Sequence, residues 1–164
     1  MTKKYVLAGL MTAITVVITM FIAIPIPNVT GAFINCGDAA VYVTAYLIGG
    51  PMGAVVAGLG SALADLFLGS AIYAPATFVI KGSMALLAGA LLTSLSGHKR
   101  IFALIAGGLV MPVGYGLYEC LLYGVPTAVA SIPFNLIQYA GGIVIGAIVI
   151  KALDLLLKNK EVSK

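Results

Sequence analysis

Charge is what this sequence has least of. Asp, Glu, Lys and Arg make up 9% of 164 residues and hydrophobic residues 62%, against roughly 25% and 45–50% in a soluble domain. A chain of this size folded in water still exposes about a third of its unfolded surface. That much apolar surface cannot be hidden in a soluble globule, so lipid is its solvent. The basic residues behind the formal charge of +4 lie at the chain ends and in one short loop, not along an aromatic-bearing face that would grip nucleic acid. The two cysteines, Cys36 and Cys120, stand in apolar surroundings without CxxC or His spacing. They are expected to be packing residues, and no metal or other cofactor is expected. A GxxxxGK[ST] phosphate loop and a soluble nucleotide domain are both missing, so this sequence is not expected to be an enzyme and any driving energy must come from partner chains. There is no fixed-period repeat, low-complexity tract or soluble linker, which leaves one domain over residues 1–164.

What is present is a series of apolar runs broken by Pro, Gly and charge. The breaks predict an all-α integral membrane protein with six transmembrane helices near 4–24, 37–49, 51–68, 74–95, 101–123 and 128–157. The second and third are short for full spans and are joined tightly through Gly49-Gly50-Pro51. The first run follows Lys3 and Lys4 and continues to Ile24, too long for the apolar part of a signal peptide. Cytoplasmic loops retain Lys and Arg. With both termini cytoplasmic, Lys3, Lys4, Lys99, Arg100, Lys151, Lys158, Lys160 and Lys164 fall on one face with His98, and the outer loops near 25–36, 69–73 and 124–127 hold no basic residue. That sorting supports an even number of spans independently of hydropathy.

Four ionisable residues mark the outer halves of the spans: Asp38, Asp65, Lys81 and Glu119. Each costs a few kcal/mol in a bilayer and so needs a partner or a function. Uncharged polar groups repeat their placement at helical spacing. Thr77 lies four residues before Lys81, Tyr115 four before Glu119, Ser61 four before Asp65 and Tyr42 four after Asp38, and Asn135 is followed by Gln138 and Tyr139. Five helices thus direct polar or aromatic groups to one outward region, with Tyr73 at its edge. The arrangement predicts a cavity that hydrogen-bonds a small polar ring compound between tyrosines.

Plainer readings stand beside this one. Lys81 paired with Asp65 or Asp38 would lock the bundle; Tyr73, Tyr115, Tyr118 and Tyr139 would form an interfacial belt; and Asn135 and Gln138 would only join helices. An oligomeric channel would need a ring of charge that the inner half lacks. An intramembrane aspartyl hydrolase would need Asp38 and Asp65 to share a proton across one bond, which Lys81 opposes. The first helix carries no ionisable group between Tyr5 and Ile24 but has overlapping small-residue pairs, Ala8 with Thr12 and Gly9 with Ala13, which permit close helix approach. Asn28 to Asn35, preceded by Pro25 and Pro27 and containing Gly31, forms an outer loop that is a candidate lid.

Read in order, the segments Ile24-Pro25-Ile26-Pro27, Phe33-Ile34-Asn35-Cys36-Gly37-Asp38-Ala39-Ala40, Gly49-Gly50-Pro51-Met52-Gly53, Gly58 to Leu66 with Asp65, Tyr73-Ala74-Pro75-Ala76-Thr77, Ile80-Lys81-Gly82 and Pro133-Phe134-Asn135-Leu136-Ile137-Gln138 cover nearly the whole chain. Together this set resembles S components of energy-coupling factor (ECF) transporters, in the branch that holds riboflavin, hydroxymethylpyrimidine and pyridoxine carriers. The resemblance implies a six-helix subunit in the bacterial cell membrane that captures a vitamin outside, docks on a T component driven by two cytoplasmic ATPases, and tips over to release its cargo. It implies T-component docking through Ala8, Gly9, Thr12 and Ala13, with Thr12 standing where a second Ala is expected. It also implies substrate contacts from Asn35, Asp38, Asp65, Lys81 and Asn135. Three acids against one lysine favour a neutral or weakly basic ring with hydroxyl groups, such as a pyrimidine or pyridoxine, over an anionic vitamin.

Overall fold

The computed structural model describes Thr2–Val162, with side chains through Lys158. Lys164 lies outside the described residues, as does the side chain of Lys160. Seven α-helices follow in order: α1 Thr2–Phe21, α2 Gly37–Leu47, α3 Gly50–Phe67, α4 Ala74–Ser94, α5 Arg100–Gly108, α6 Val110–Tyr123 and α7 Val125–Val162. A single 3₁₀ turn, Gly97–Lys99, precedes α5. Two short strands, β1 Ala23–Pro25 and β2 Phe33–Asn35, pair antiparallel between α1 and α2.

The departures from the expected six helices have local causes. The first helix stops at Phe21 rather than near Ile24, because Ile24 and Ile26 each precede a proline and are pushed toward extended backbone. That stretch becomes β1. The expected helix over 101–123 is divided at Leu109, between Gly107-Gly108 and Pro112, whose ring cannot donate to the carbonyl of Gly108. The last helix is longer than expected and carries Pro133 in its interior.

By length and composition five segments can cross a membrane: Thr2–Phe21, Gly50–Phe67, Ala74–Ser94, the run Gly97–Tyr123 and Val125–Lys158. The helix α2 is different. At 11 residues it is about 16 Å long at 1.5 Å per residue, half of a hydrocarbon core of about 30 Å. Its C-terminal end reaches the basic end of the bundle, where the Tyr46 hydroxyl donates to Asp154 at 2.5 Å. Asp154 also pairs with Arg100, whose guanidinium lies 5.1 Å from the centre of the Tyr46 ring. The N-terminal end of α2 stops mid-bundle at Asp38, and the β-hairpin occupies the level above.

This half-length helix is wrapped by close neighbours. Tyr42 is fully buried and donates to the Leu104 carbonyl at 2.9 Å. Room for it comes from glycines: a methyl group at Gly146 would stand 2.8 Å from the Tyr42 ring, and one at Gly142 would stand 2.6 Å from Cβ of Asp38. The main core lies around α2 and below it, built from Val41, Ala45, Met84, Ala88, Leu104 and Met111 among others. In lipid such contacts are driven by dispersion and shape rather than by escape from water, so small residues at crossings are the means of tight packing.

Gly107 meets α4 in the same way, since a methyl group there would lie 2.7 Å from Cβ of Ala88 and 2.9 Å from its backbone nitrogen. Gly116, one helix further on, has no atom within 4 Å of that position. Gly107→Ala is expected to destabilise the detergent-solubilised protein by about 1–3 kcal/mol through overpacking. Gly116→Ala should be neutral or stabilising by up to about 1 kcal/mol, since alanine is the better helix former. Paired thermal unfolding scans check this, and equal shifts in both variants would refute the close α4–α5 crossing.

Candidate functional site

Four ionisable side chains enter the half of the bundle away from its basic end, and the fold divides them into two pairs of different character. Lys81 of α4 reaches across to Asp38 at the start of α2. The ammonium contacts Asp38 Oδ1, and the two side chains are 3% and 1% exposed. The other carboxylate oxygen, Oδ2, accepts from Gln138 Nε2 of α7 at 3.2 Å. Gln138 in turn accepts from the backbone N–H of Asn35 at 2.9 Å, and the Asn35 side chain accepts from the Gly37 N–H at 2.7 Å, closing the start of α2. Every oxygen of the Asp38 carboxylate is therefore engaged. A proton-sharing pair of Asp38 with Asp65, the geometry an aspartyl hydrolase requires, is not formed.

Asp65 and Glu119 face a cavity above this pair. Its enclosed volume is about 30 Å³. From the helices it is lined by Asp65, Thr77, Tyr115, Glu119, Asn135 and Gln138, and from the connecting segments by Asn35, Tyr73, Ile26 and Phe33 with their neighbours. Of eleven candidate binding residues, eight thus surround one space: Asn35, Asp65, Tyr73, Thr77, Tyr115, Glu119, Asn135 and Gln138. Asp38 and Lys81 lie behind its wall, with the Lys81 nitrogen 5.4 Å from the centre of the Tyr115 ring. Tyr139 is turned elsewhere: its hydroxyl donates to the Ile105 carbonyl at 3.0 Å and its ring packs on Gly108. The i, i+1 step from Gln138 rotates it by about 100° to the α5 side.

The polar groups of the cavity are unevenly satisfied. Thr77 and Tyr115 share a hydrogen bond of 2.9 Å between their hydroxyls. The Tyr73 hydroxyl donates to Glu119 Oε1 only at 3.4 Å, and Ser131 donates to Glu119 Oε2. Asn135 Nδ2 donates to the Ser131 hydroxyl at 3.3 Å. Ser131, fully buried, is a supporting residue that the residue-type reading passes over, although it precedes Asn135 by four on the same helix face. Asp65 Oδ2 is buried with no hydrogen-bond partner. An orphaned carboxylate oxygen and a weakly engaged one therefore face the same small space, with acceptor capacity that buried groups in folded proteins seldom leave unused.

The roof is the segment between β1 and β2. Ile26, Val29 and Ala32 are buried there against Tyr73, in a cluster separate from the main core and edged by Tyr115, Tyr118 and Phe134. Tyr73 packs edge-on to Tyr118, with ring centres 5.6 Å apart at 69°, and tilted to Tyr115 at 6.2 Å. The Tyr123 hydroxyl donates to the Thr30 carbonyl at 2.8 Å and that of Tyr118 to the Ile72 carbonyl at 2.5 Å. The turn needs left-handed backbone at Asn28 and Gly31, which lets the chain fold back within seven residues.

On α1 the candidate docking residues separate by face. Met11, Thr15 and Thr19 point into the bundle. Thr12 is half-buried, its hydroxyl donating to the Ala8 carbonyl at 2.9 Å, and its backbone lies near Gly60 of α3. Gly9 and Ala13 are exposed on the outer side.

The fold defines a multi-pass helical membrane protein with a roofed polar cavity near one end. The profile of the ECF-type riboflavin transporter S component family matches residues 1–155, and the chain belongs to that family. It is therefore a substrate-binding transport subunit and not itself an enzyme. Among its relatives is a Lactococcus lactis subsp. cremoris protein described as the thiamine precursor transporter HmpT, 30% identical over 157 residues, covering 96% of this chain and 89% of that one. An uncharacterised Pyrococcus woesei protein is 38% identical over 135 residues, covering 82% of this chain and 89% of the relative. A solved structure of the S component of a bacterial ECF transporter superposes with a TM-score of 0.79 at 26% identity, covering 96% of this chain and 98% of the other.

Removing one partner of a buried ion pair leaves the other charge uncompensated, at about 3–5 kcal/mol. Lys81→Met is expected to lose stability on that scale, and adding Asp38→Asn should restore most of it. Chemical denaturation of the single and double variants in detergent measures the difference, and an unaffected single variant would show that the pair is not desolvated.

Proposed function

We propose that the cavity captures a thiamine precursor, a single aminopyrimidine ring bearing a hydroxymethyl group, from outside the cell for uptake across the bacterial membrane. The observation that carries this reading is the pair of carboxylates, Asp65 and Glu119, with spare acceptor capacity in one roofed cavity whose lysine is already neutralised by Asp38. Such a site favours a ligand that brings N–H and O–H donors or a weakly basic ring, and disfavours an anion. Tyr73, Tyr115 and Phe33 supply aromatic faces, and Asn135 a polar contact. A relative described as a thiamine precursor transporter supports the same substrate class. Pyridoxine shares the ring size and the hydroxymethyl groups. Riboflavin is the second reading, favoured by the family's description; a cavity of about 30 Å³ has to open by far less to take one ring than to take three fused ones with a ribityl chain.

The loop over residues 26–32 acts as the lid in this reading, and energy enters through a T component and two ATPases. The docking surface is the Gly9 and Ala13 face of α1, with Ala8 and Thr12 as its inner edge. Both termini are cytoplasmic and six passes are completed by α2 together with β2, in keeping with the sorting of basic residues.

Asp65→Asn, Glu119→Gln and Asn135→Ala are each expected to weaken binding of 4-amino-5-hydroxymethyl-2-methylpyrimidine, by roughly tenfold to a hundredfold for the two carboxylates, the scale of a hydrogen bond to a charged group. Tyr139→Phe should leave binding unchanged. Isothermal titration with purified protein measures this; tight riboflavin binding with no response to the pyrimidine would overturn the substrate reading. Gly9→Leu with Ala13→Leu should preserve binding while abolishing uptake by the assembled transporter, as read by radiolabelled substrate accumulation in cells. Normal uptake in that variant would remove α1 as the docking surface.

A further inference from the structure

The end of the bundle opposite the chamber holds a second groove, of about 460 Å³, between the start of α5 and the last turns of α7. Its floor is apolar, formed by the half-buried Ile101 and Ala147 over the core side chains Leu104 and Ile150, and its rim carries His98, Arg100 and Lys151 beside Asp154. The charges on the rim do not cancel. Arg100 is paired with Asp154 and steadied by the Tyr46 ring, so this acid is spent within the protein. Lys151, exposed on α7, has no acidic partner among the described residues. His98 adds a ring N–H donor, and Lys99 stands exposed next to it.

An apolar floor bounded by an uncompensated basic rim is complementary to one class of molecule. We infer that this groove binds the anionic headgroup of a phospholipid such as phosphatidylglycerol, with the phosphate on Lys151 and His98 and the start of an acyl chain along Ile101 and Ala147. Basic pockets between transmembrane helices on the cytoplasmic side recognise anionic headgroups in this way. The rigid Arg100, Asp154 and Tyr46 cluster forms the back wall and fixes the distance between α5 and α7. A zwitterionic lipid brings its own cation to a rim that is already positive, so the groove discriminates by charge. A soluble phosphate would leave the apolar floor unfilled.

The test uses detergent-purified, delipidated full-length protein mixed with equal amounts of dioleoyl phosphatidylglycerol and dioleoyl phosphatidylcholine, read by native mass spectrometry. One retained phosphatidylglycerol per chain, in at least several-fold excess over phosphatidylcholine, is expected. Lys151→Glu should reduce that retention by about fivefold or more, the scale of one basic residue at an anionic surface. Lys3→Gln with Lys4→Gln, away from the groove, should not. Pyrimidine binding by the Lys151→Glu protein reports that it is folded, and Lys151→Gln serves if the reversal disturbs the fold. Equal retention of the two lipids, or unchanged retention in both Lys151 variants, would overturn the proposal. So would displacement of the lipid by inorganic phosphate in tenfold excess, which would make the site a free-phosphate site. Absence of lipid discrimination, combined with protection of Lys151 from acetylation only in the assembled transporter, would give the groove to a protein partner and equally overturn it.

Discussion

The placement of everything in the half of the bundle that holds the chamber depends on two charges that the bilayer would otherwise reject. Asp38 and Lys81 neutralise one another out of contact with water, and Gln138 satisfies the remaining carboxylate oxygen. An isolated charge at that depth is costly; the pair with its amide forms a three-way joint among α2, α4 and α7. Because the joint sits at the first turn of α2, it fixes where that helix begins, with the acid favourably placed at the helix N-terminus. Gly142 lets α7 approach closely enough to complete it. The chamber is the space left above a helix that starts halfway through the bundle.

The electrostatic character of the chamber follows. With Lys81 committed to Asp38, the lining contains two carboxylates and no cation. The tyrosine over Lys81 is pulled in the same direction, since its ring faces the ammonium at 5.4 Å and its hydroxyl is held by Thr77. The mechanical character follows as well. Below the joint lies the continuous core around Val41, Tyr42 and Met84. Above it, the roof rests on a satellite cluster of four buried residues, Ile26, Val29, Ala32 and Tyr73. A segment held by few apolar contacts and a few surface hydrogen bonds belongs to the low-stability end of a fold, and the roof is packed separately from the core beneath it.

Much of this is legible in the residues alone. Charge is so scarce that the depth of Asp65, Lys81 and Glu119 along their helices, with Thr77 and Tyr115 one turn away, points to a single region, and periodicity of 3.6 places Asn135 and Gln138 toward it. What periodicity cannot supply is the division of labour among four charges. Whether Lys81 pairs with Asp38 or Asp65 depends on where α2 begins, and that is set by proline-rich backbone at Ile24 to Pro27 turning into a strand. The shortness of α2, expected over 37–49 and observed over Gly37–Leu47, is legible; the β-hairpin at the level above it is not, because an apolar run reads alike whether it is strand or helix. Tyr139 is misplaced by one step along α7, where a rotation of about 100° separates cavity from packing surface. Asp154 goes unremarked in a sequence reading centred on the outer half, yet it anchors the opposite end through Arg100 and Tyr46.

The helix α1 divides into an inward and an outward side. It contributes no side chain to the chamber; its inward stripe of Met11, Thr15 and Thr19 packs on the bundle, with Gly60 of α3 fitted against Thr15. Its outward side holds Gly9 and Ala13 among bulky Val6, Leu10 and Val17. Lipid accommodates a large apolar side chain as readily as a small one, so a smooth patch on a lipid-facing surface has no packing purpose within this chain. Another helix can use it, because only small residues allow two backbones to approach and exchange dispersion contacts in a medium without hydrophobic drive.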